Sequence, residues 1–198
     1  MRILGTAFLA FLLLVSSCSK KTRGPQRSST PTEATVASPA RVDFCHVPHR
    51  PTRRQLEAFA EEGIQKTLAV GNSAPRDLIK AARRYEGTPH CMGGTSKKCM
   101  DCSGLLLAAF RDLGVQVPHS SQAIARYGRF VPRREDLKRG DLVFFARTYR
   151  TSKVITHAGI YLGQGKFLHT SSSKGVMVSD VNDPYYWGDK WVFGTRVW

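Results

Sequence analysis

Residues 155–171 read Ile155-Thr156-His157-Ala158-Gly159-Ile160-Tyr161-Leu162-Gly163-Gln164-Gly165-Lys166-Phe167-Leu168-His169-Thr170-Ser171. Apolar and polar residues alternate on both sides of Gly163-Gln164-Gly165, the pattern of two antiparallel strands joined by a tight glycine-rich turn. With a three-residue loop Leu162 opposes Lys166, His157 falls opposite Ser171, and His169 falls opposite Gly159. The two histidines then share one face as diagonal neighbours, about 7 Å or less between their Cβ atoms. A two-residue loop would send them to opposite faces, because one step of register inverts every side chain.

The period of two extends outward from this hairpin. Asp141–Arg147, Val154–Leu162, Lys166–Ser171, Gly175–Val181 and Trp191–Trp198 all read as strands. Upstream the period is that of helices. Leu56, Phe59, Ala60, Ile64 and Leu68 predict a helix over Pro51–Val70, stopped by Gly71. Pro75 opens a second helix running to about Tyr85. Asp101 is placed to cap a third, with Leu105, Leu106, Ala109, Phe110 and Leu113 on its apolar side and Gly114 at its end. A short helix is expected over Ser121–Tyr127. Helices first and adjacent strands afterwards define an α+β domain, with helices packed on an antiparallel sheet.

Cys102 stands in the first turn of the third helix, within Met100-Asp101-Cys102-Ser103-Gly104. Amide groups at a helix start stabilise a thiolate, so a lowered thiol pKa is expected there. A cysteine nucleophile also needs a base and a group that orients the base. The histidine hairpin offers both.

Asp101-Cys102-Ser103-Gly104, Gly140-Asp141-Leu142-Val143-Phe144-Phe145, Thr156-His157-Ala158-Gly159-Ile160-Tyr161-Leu162 and Phe167-Leu168-His169-Thr170 together resemble the NlpC/P60 cysteine peptidases. Gly87-Thr88-Pro89 and Gly93-Gly94-Thr95-Ser96 extend the resemblance, which covers roughly residues 75–198. It implies a papain-like α+β core. It makes Cys102 the nucleophile, His157 the general base and His169 the residue that orients His157, and it suggests that Asp101 and Ser103 help bind substrate. The implied reaction is hydrolysis of peptidoglycan stem peptides, commonly between γ-D-glutamate and a diamino acid. No cofactor or metal is implied. The chain departs from the pattern at His90, where the family usually has Tyr, and at His119, where it often has Arg. A non-catalytic peptidoglycan-binding or scaffold protein of the same fold is the alternative, and the intact Cys102, His157 and His169 set argues against it.

Five cysteines are present, Cys18, Cys45, Cys91, Cys99 and Cys102. With Cys102 free and Cys18 set aside, Cys91 can pair with Cys99, or either with Cys45, and one is left over. Cys99 and Cys102 also form Cys-x-x-Cys, a redox motif, but the preceding buried strand of a βαβ unit is missing. A zinc site from His90, Cys91, Cys99 and Cys102 has the right ligand types and loose spacing, and would occupy the nucleophile. His46, His49 and His119 read as surface or loop histidines. The basic run Arg126, Arg129, Arg133, Arg134, Lys138 and Arg139 reads as a solvated face. Trp187, Trp191 and Trp198 read as core or rim packing, with Tyr185-Tyr186-Trp187 able to line a groove.

The N-terminus sets the compartment. Arg2 precedes an apolar run of 13 residues, Ile3–Val15, too short to span a bilayer and suited to a signal peptide. Leu14-Val15-Ser16-Ser17-Cys18 resembles the bacterial lipobox, which makes residues 1–17 a lipoprotein signal and Cys18 the lipidated residue. Ser19 after that cysteine favours the outer membrane, facing the periplasm. Residues 18–41 are expected to be a disordered tether, since Ser, Thr and Pro make up 11 of the 23 residues from Ser19 to Arg41. Residues 42–74 form a helical extension and residues 75–198 the catalytic domain.

The whole chain has 198 residues and a formal net charge of +15, from 30 Lys and Arg against 15 Asp and Glu. Hydrophobic residues make up 41%, which excludes wholesale disorder. Residues 1–41 hold six basic residues and one acidic, a net +5 suited to a membrane surface, and the remainder keeps +10. An export signal and the lack of any nucleic-acid motif argue against a nucleic-acid partner. The free carboxylates of stem peptides suit the same charge. Oligomeric state is left open.

Overall fold

The computed structural model describes residues 51–198. Its helices are α1 (Arg53–Glu61), α2 (Pro75–Arg83), α3 (Cys102–Arg111), α4 (Ser121–Ile124) and α5 (Trp187–Lys190). Its strands are β1 (Thr95–Ser96), β2 (Cys99–Met100), β3 (Arg129–Val131), β4 (Leu142–Phe145), β5 (His157–Gly163), β6 (Lys166–Ser171), β7 (Gly175–Asp180) and β8 (Trp191–Arg196). Six of these form one antiparallel sheet in the order β3-β8-β4-β5-β6-β7, while β1 and β2 make a separate small hairpin. The α+β expectation holds, with α1, α2 and α3 on one face of an antiparallel sheet. His46, His49, Cys18, Cys45 and the signal and tether lie outside the described residues.

Alternation along the strands splits the core in two. Phe144, Ala158, Ile160, Leu168, Val176 and Phe193 pack with α1, α2 and α3, whereas Val143, Phe145, Tyr161, Phe167, Val181 and Trp191 form a second cluster with Trp187 against it. Helix α3 is buried on nearly every side, because α2 covers it on one flank and the sheet on the other. That explains why Leu105, Leu106, Ala108, Ala109 and Phe110 are all apolar rather than forming a single stripe.

Two sequence expectations change here. The helix expected over 51–70 ends at Glu61, because the next residues leave the helical region: Gly63 has φ +94° and Gln65 φ +56°. The segment beyond runs extended instead, with Lys66 bridged to Tyr127. Its Leu68, together with Leu56 and Phe59 of α1, joins the same core as α2 and α3. Arg126, expected on a solvated face, is only 7% exposed. Its guanidinium donates to the carbonyls of Phe59 and Gly63 at 2.7 and 2.9 Å, pairs with Glu62 at 2.5 Å, and lies over the Phe59 ring. It satisfies the orphan carbonyls where α1 ends, a role invisible in local charge patterning.

The β5–β6 turn also departs from expectation. Gly163 pairs with Lys166 across a two-residue turn, Gln164-Gly165, whose φ values of 53° and 74° are both left-handed, as a type I′ turn requires. A bulge at Leu162 then shifts the register, so that Tyr161 faces Phe167 and Ile160 faces Leu168. The extra residue restores the pairing that a three-residue loop would have given, and both histidines return to one face.

Candidate active site

Cys102 is the first residue of α3, and Asp101 is its N-cap. The Asp101 carboxylate accepts four hydrogen bonds: from the amide N–H of Gly104 at 2.7 Å, the Ser103 hydroxyl at 2.8 Å, the amide N–H of Gly93 at 2.8 Å and His119 Nε2 at 3.2 Å. Burial works to raise its pKa, yet these donors, led by Gly104, hold it below the usual carboxylate value. The cap therefore does two jobs: it starts the helix and ties the 93–94 loop to it. Asp101 N–H donates back to the Gly94 carbonyl at 3.1 Å. The approach is so close that a Cβ on Gly104 would sit 1.9 Å from the Gly94 oxygen, and one on Gly94 would sit 2.4 Å from Cys91 Sγ. Neither position has room for a side chain, which gives Gly93-Gly94 and Asp101-Cys102-Ser103-Gly104 a common steric origin.

Cys91 and Cys99 form a disulfide that ties the segment ahead of β1 to β2. That resolves the pairing, leaving Cys102 as the free cysteine among the described residues. It also removes two of the three cysteine ligands from the zinc reading and the Cys99 thiol from the redox reading. Among the described residues no cluster of three or more His, Cys, Asp or Glu is placed to hold a metal ion.

On the opposite side, His157 Nε2 lies 3.0 Å from His169 Nδ1, and His169 Nε2 lies 2.9 Å from Ser179 Oγ on β7. The first contact is the one the hairpin reading requires. Nδ1 is thus the His157 nitrogen that His169 does not occupy, and Cys102 lines the same cavity as His157. The backbone N–H of Ala158, next to His157, is directed at the Cys102 thiol, so the start of β5 meets the start of α3 at the sulfur. His157 and His169 are 8% and 1% exposed. Trp187 lies against both imidazoles, its centroid 4.9 Å from that of His157 and 4.8 Å from that of His169, and Phe167 stacks on His169 at 4.7 Å and 19°.

The electrostatics correct one expectation. Burial pushes the Cys102 thiol up to about 11, outweighing the helpful N–H groups of Ala158, Ser103 and Cys102 itself, and the Asp101 carboxylate adds to the rise. Burial holds His157 well below its usual value, with His169 and then His90 adding to the effect. Burial also takes His169 to about 4, against the Thr170 carbonyl. These shifts favour a neutral thiol and a neutral imidazole over a preformed thiolate. The helix start helps the anion, but desolvation of the thiol outweighs it.

These groups border one open cavity of about 720 Å³, which Asp101, Ser103, His90, His119, Tyr149 and Trp187 also line. His119, read from sequence as a surface or loop histidine, sits at the cleft on Asp101. A second cavity of about 470 Å³ shares Tyr149, Lys153 and Thr156 with the first, and the start of α1 forms part of its wall. Sequence reading missed Ser179 and Tyr149, while Trp187, read as packing or as lining a groove with Tyr185 and Tyr186, does line the cavity. Ser179 had a signal: three residues separate Ser171 from Gly175, so the same register count pairs Phe167 with Ser179, diagonal to His169. Tyr149 had none, because the loop between β4 and β5 carries it to the cleft.

Residues 87–196 match the NlpC/P60 family, and the chain belongs to it. A "Probable endopeptidase" of Haemophilus influenzae is 40% identical over 110 residues, covering 55% of this chain and 66% of that protein. The "Murein DD-endopeptidase MepS/Murein LD-carboxypeptidase" of Escherichia coli K12 is 38% identical over 103 residues, 52% of each. A crystal structure of an NlpC/P60 family protein from Bacillus cereus ATCC 10987 superposes with a TM-score of 0.57 at 27% identity, covering 65% of this chain and 41% of that one. The chain spans between half and two thirds of the length of the two curated relatives.

Proposed function

We propose that this protein is a cysteine peptidase that hydrolyses peptide bonds in peptidoglycan stem peptides, with Cys102 as nucleophile, His157 as general base and His169 as its orienting partner. The observation that carries this reading is the 3.0 Å contact between His157 Nε2 and His169 Nδ1, which leaves Nδ1 of His157 for a cysteine at a helix start on the same cavity. Because the resting pair is neutral, His157 takes the thiol proton as Sγ bonds to the scissile carbonyl carbon. The carbonyl oxygen becomes an oxyanion, for which the Cys102 backbone N–H is the donor at hand. Collapse breaks the C–N bond, and His157 returns the proton to the leaving amine. Water then attacks the thioester with His157 again as base, freeing the acid and the Cys102 thiol.

Asp101 and Ser103 border the cavity and are assigned to substrate contact, although both side chains already hydrogen-bond within the cap. The family resemblance favours the bond between γ-D-glutamate and a diamino acid. A second reading, cleavage of a DD cross-link or removal of a terminal residue, is favoured by the name of the E. coli relative. Mass spectrometry of muropeptides digested by the wild-type chain separates these by fragment mass. Cys102→Ala should reduce cleavage by on the order of 10⁴-fold or more while the thermal melt is unchanged; undiminished cleavage would remove Cys102 from the mechanism.

We also place the protein in the bacterial envelope, anchored through lipid on Cys18 and facing the periplasm from the outer membrane. The lipobox-like Leu14-Val15-Ser16-Ser17-Cys18 supports this, and among the described residues no helix is long and apolar enough to cross a membrane. Labelling cells with an alkyne-tagged fatty acid should mark the wild-type chain and leave Cys18→Ala unmarked.

A further inference from the structure

We propose that Ser179 is a positioning residue that fixes the tautomer of His169 and, through it, the tautomer of His157; this rests on the catalytic reading above. To accept a proton from Cys102, His157 must hold a lone pair on Nδ1, so its own proton sits on Nε2. That N–H donates to His169 Nδ1, 3.0 Å away, which must therefore be unprotonated. Neutral His169 then carries its proton on Nε2, and the atom facing Nε2 is Ser179 Oγ at 2.9 Å. Each step follows from the previous one, and the series ends at a hydroxyl that accepts from His169 while its own proton turns to the cavity it borders.

Rotation of the rings does not offer an escape. Phe167 lies nearly parallel to His169 at 19°, and Trp187 meets it edge-on at 71°, so the plane of the ring is clamped from two sides. With the ring fixed and 1% exposed, its end partners decide which nitrogen bears the proton. The sheet supplies the partner: β7 pairs His169 with Met177, which puts Ser179 diagonal to it on the next strand. Without the hydroxyl, Nε2–H loses the acceptor it has in the fold and keeps only whatever the cavity offers, whereas an unprotonated Nε2 loses less. The alternative tautomer, with the proton on Nδ1, would face the His157 Nε2–H and drive His157 to the tautomer that cannot take the thiol proton.

The test uses the full chain with ¹⁵N-labelled histidine, and compares wild type, Ser179→Ala and Ser179→Thr. In wild type, long-range ¹H–¹⁵N spectra should show His169 in the Nε2–H form. Ser179→Ala should lose that form and lower kcat on muropeptides about tenfold or more with KM little changed, since a wrong tautomer at such a relay is costly even with geometry intact. Ser179→Thr should restore both. An unchanged His169 tautomer in Ser179→Ala would overturn the proposal, whether kcat falls, which would make Ser179 a packing residue, or stays, which would mean water suffices. Because the spectra need no turnover, they also decide the matter if the chain proves not to cleave peptidoglycan.

Discussion

The Cys102 side of the cleft is held by neighbours in sequence, and the histidine side by neighbours in space. Between Cys91 and Gly104 a disulfide, an N-cap carboxylate with four donors and two glycines without room for a Cβ lock the Cys102 backbone. His157, His169 and Ser179 come instead from three strands whose register is set by a bulge at Leu162 and by a two-residue turn. The first side is stiff by covalent and steric means. The second is a hydrogen-bonded series whose polarity must be right from end to end. The contrast predicts that damage to the first side acts through stability and placement, and damage to the second through protonation.

Gly104→Ala should have the largest structural effect. Its methyl would collide with the Gly94 carbonyl, a backbone atom that cannot swing aside, so a loss of about 3 kcal/mol is expected from overpacking, with activity falling alongside. A chemical-denaturation midpoint equal to wild type would show that the loop is looser than the contact implies. Removing the disulfide with Cys91→Ser and Cys99→Ser should cost about 2–3 kcal/mol by loop-closure entropy. It should also lower kcat/KM by releasing the 93–94 loop from the start of α3. Full stability and activity after this change would make the disulfide dispensable to the nucleophile.

On the other side, Trp187→Leu should act through pH. Burial keeps His157 and His169 neutral below the usual histidine range, and Trp187 supplies part of that cover. Opening it lets both pKa values rise, so the acid limb of kcat/KM should move to higher pH. An acid limb that stays in place would exclude Trp187 as the shield. The same depressed values link pH to stability. Both groups bind protons more readily unfolded, so their contribution is complete above about pH 6.5 and is lost as pH falls, for His169 through about 4. The smallest effect belongs to the turn. Gln164 is a non-glycine residue at φ 53°, and Gln164→Asn, better suited to that conformation, should stabilise by about 0.5 kcal/mol with no change in kcat.

Much of this was legible beforehand, for reasons that can be named. Asp101 as cap, Cys102 at a helix start and the shared face of two histidines depend on spacing within short segments, and spacing is what a sequence records. The hairpin reading reached the right face through a turn of the wrong length, because the bulge at Leu162 cancels the difference. The helix expected over 51–70 failed where Gly63 and Gln65 take left-handed φ, which apolar periodicity does not report.

What the sequence by itself determined is the chemistry present: one cysteine at a helix start, two histidines on one hairpin, and the motifs shared with the NlpC/P60 family. What the tertiary structure decided is the state in which that chemistry rests. Helix-start amides alone would lower the Cys102 pKa, but desolvation in the folded chain outweighs them and raises it. Likewise Trp187 and Ser179 gain roles only when α5 and β7 are folded onto the histidine pair. Desolvation and the polarity of a hydrogen-bonded series depend on everything that surrounds a group, and no local stretch of sequence contains that.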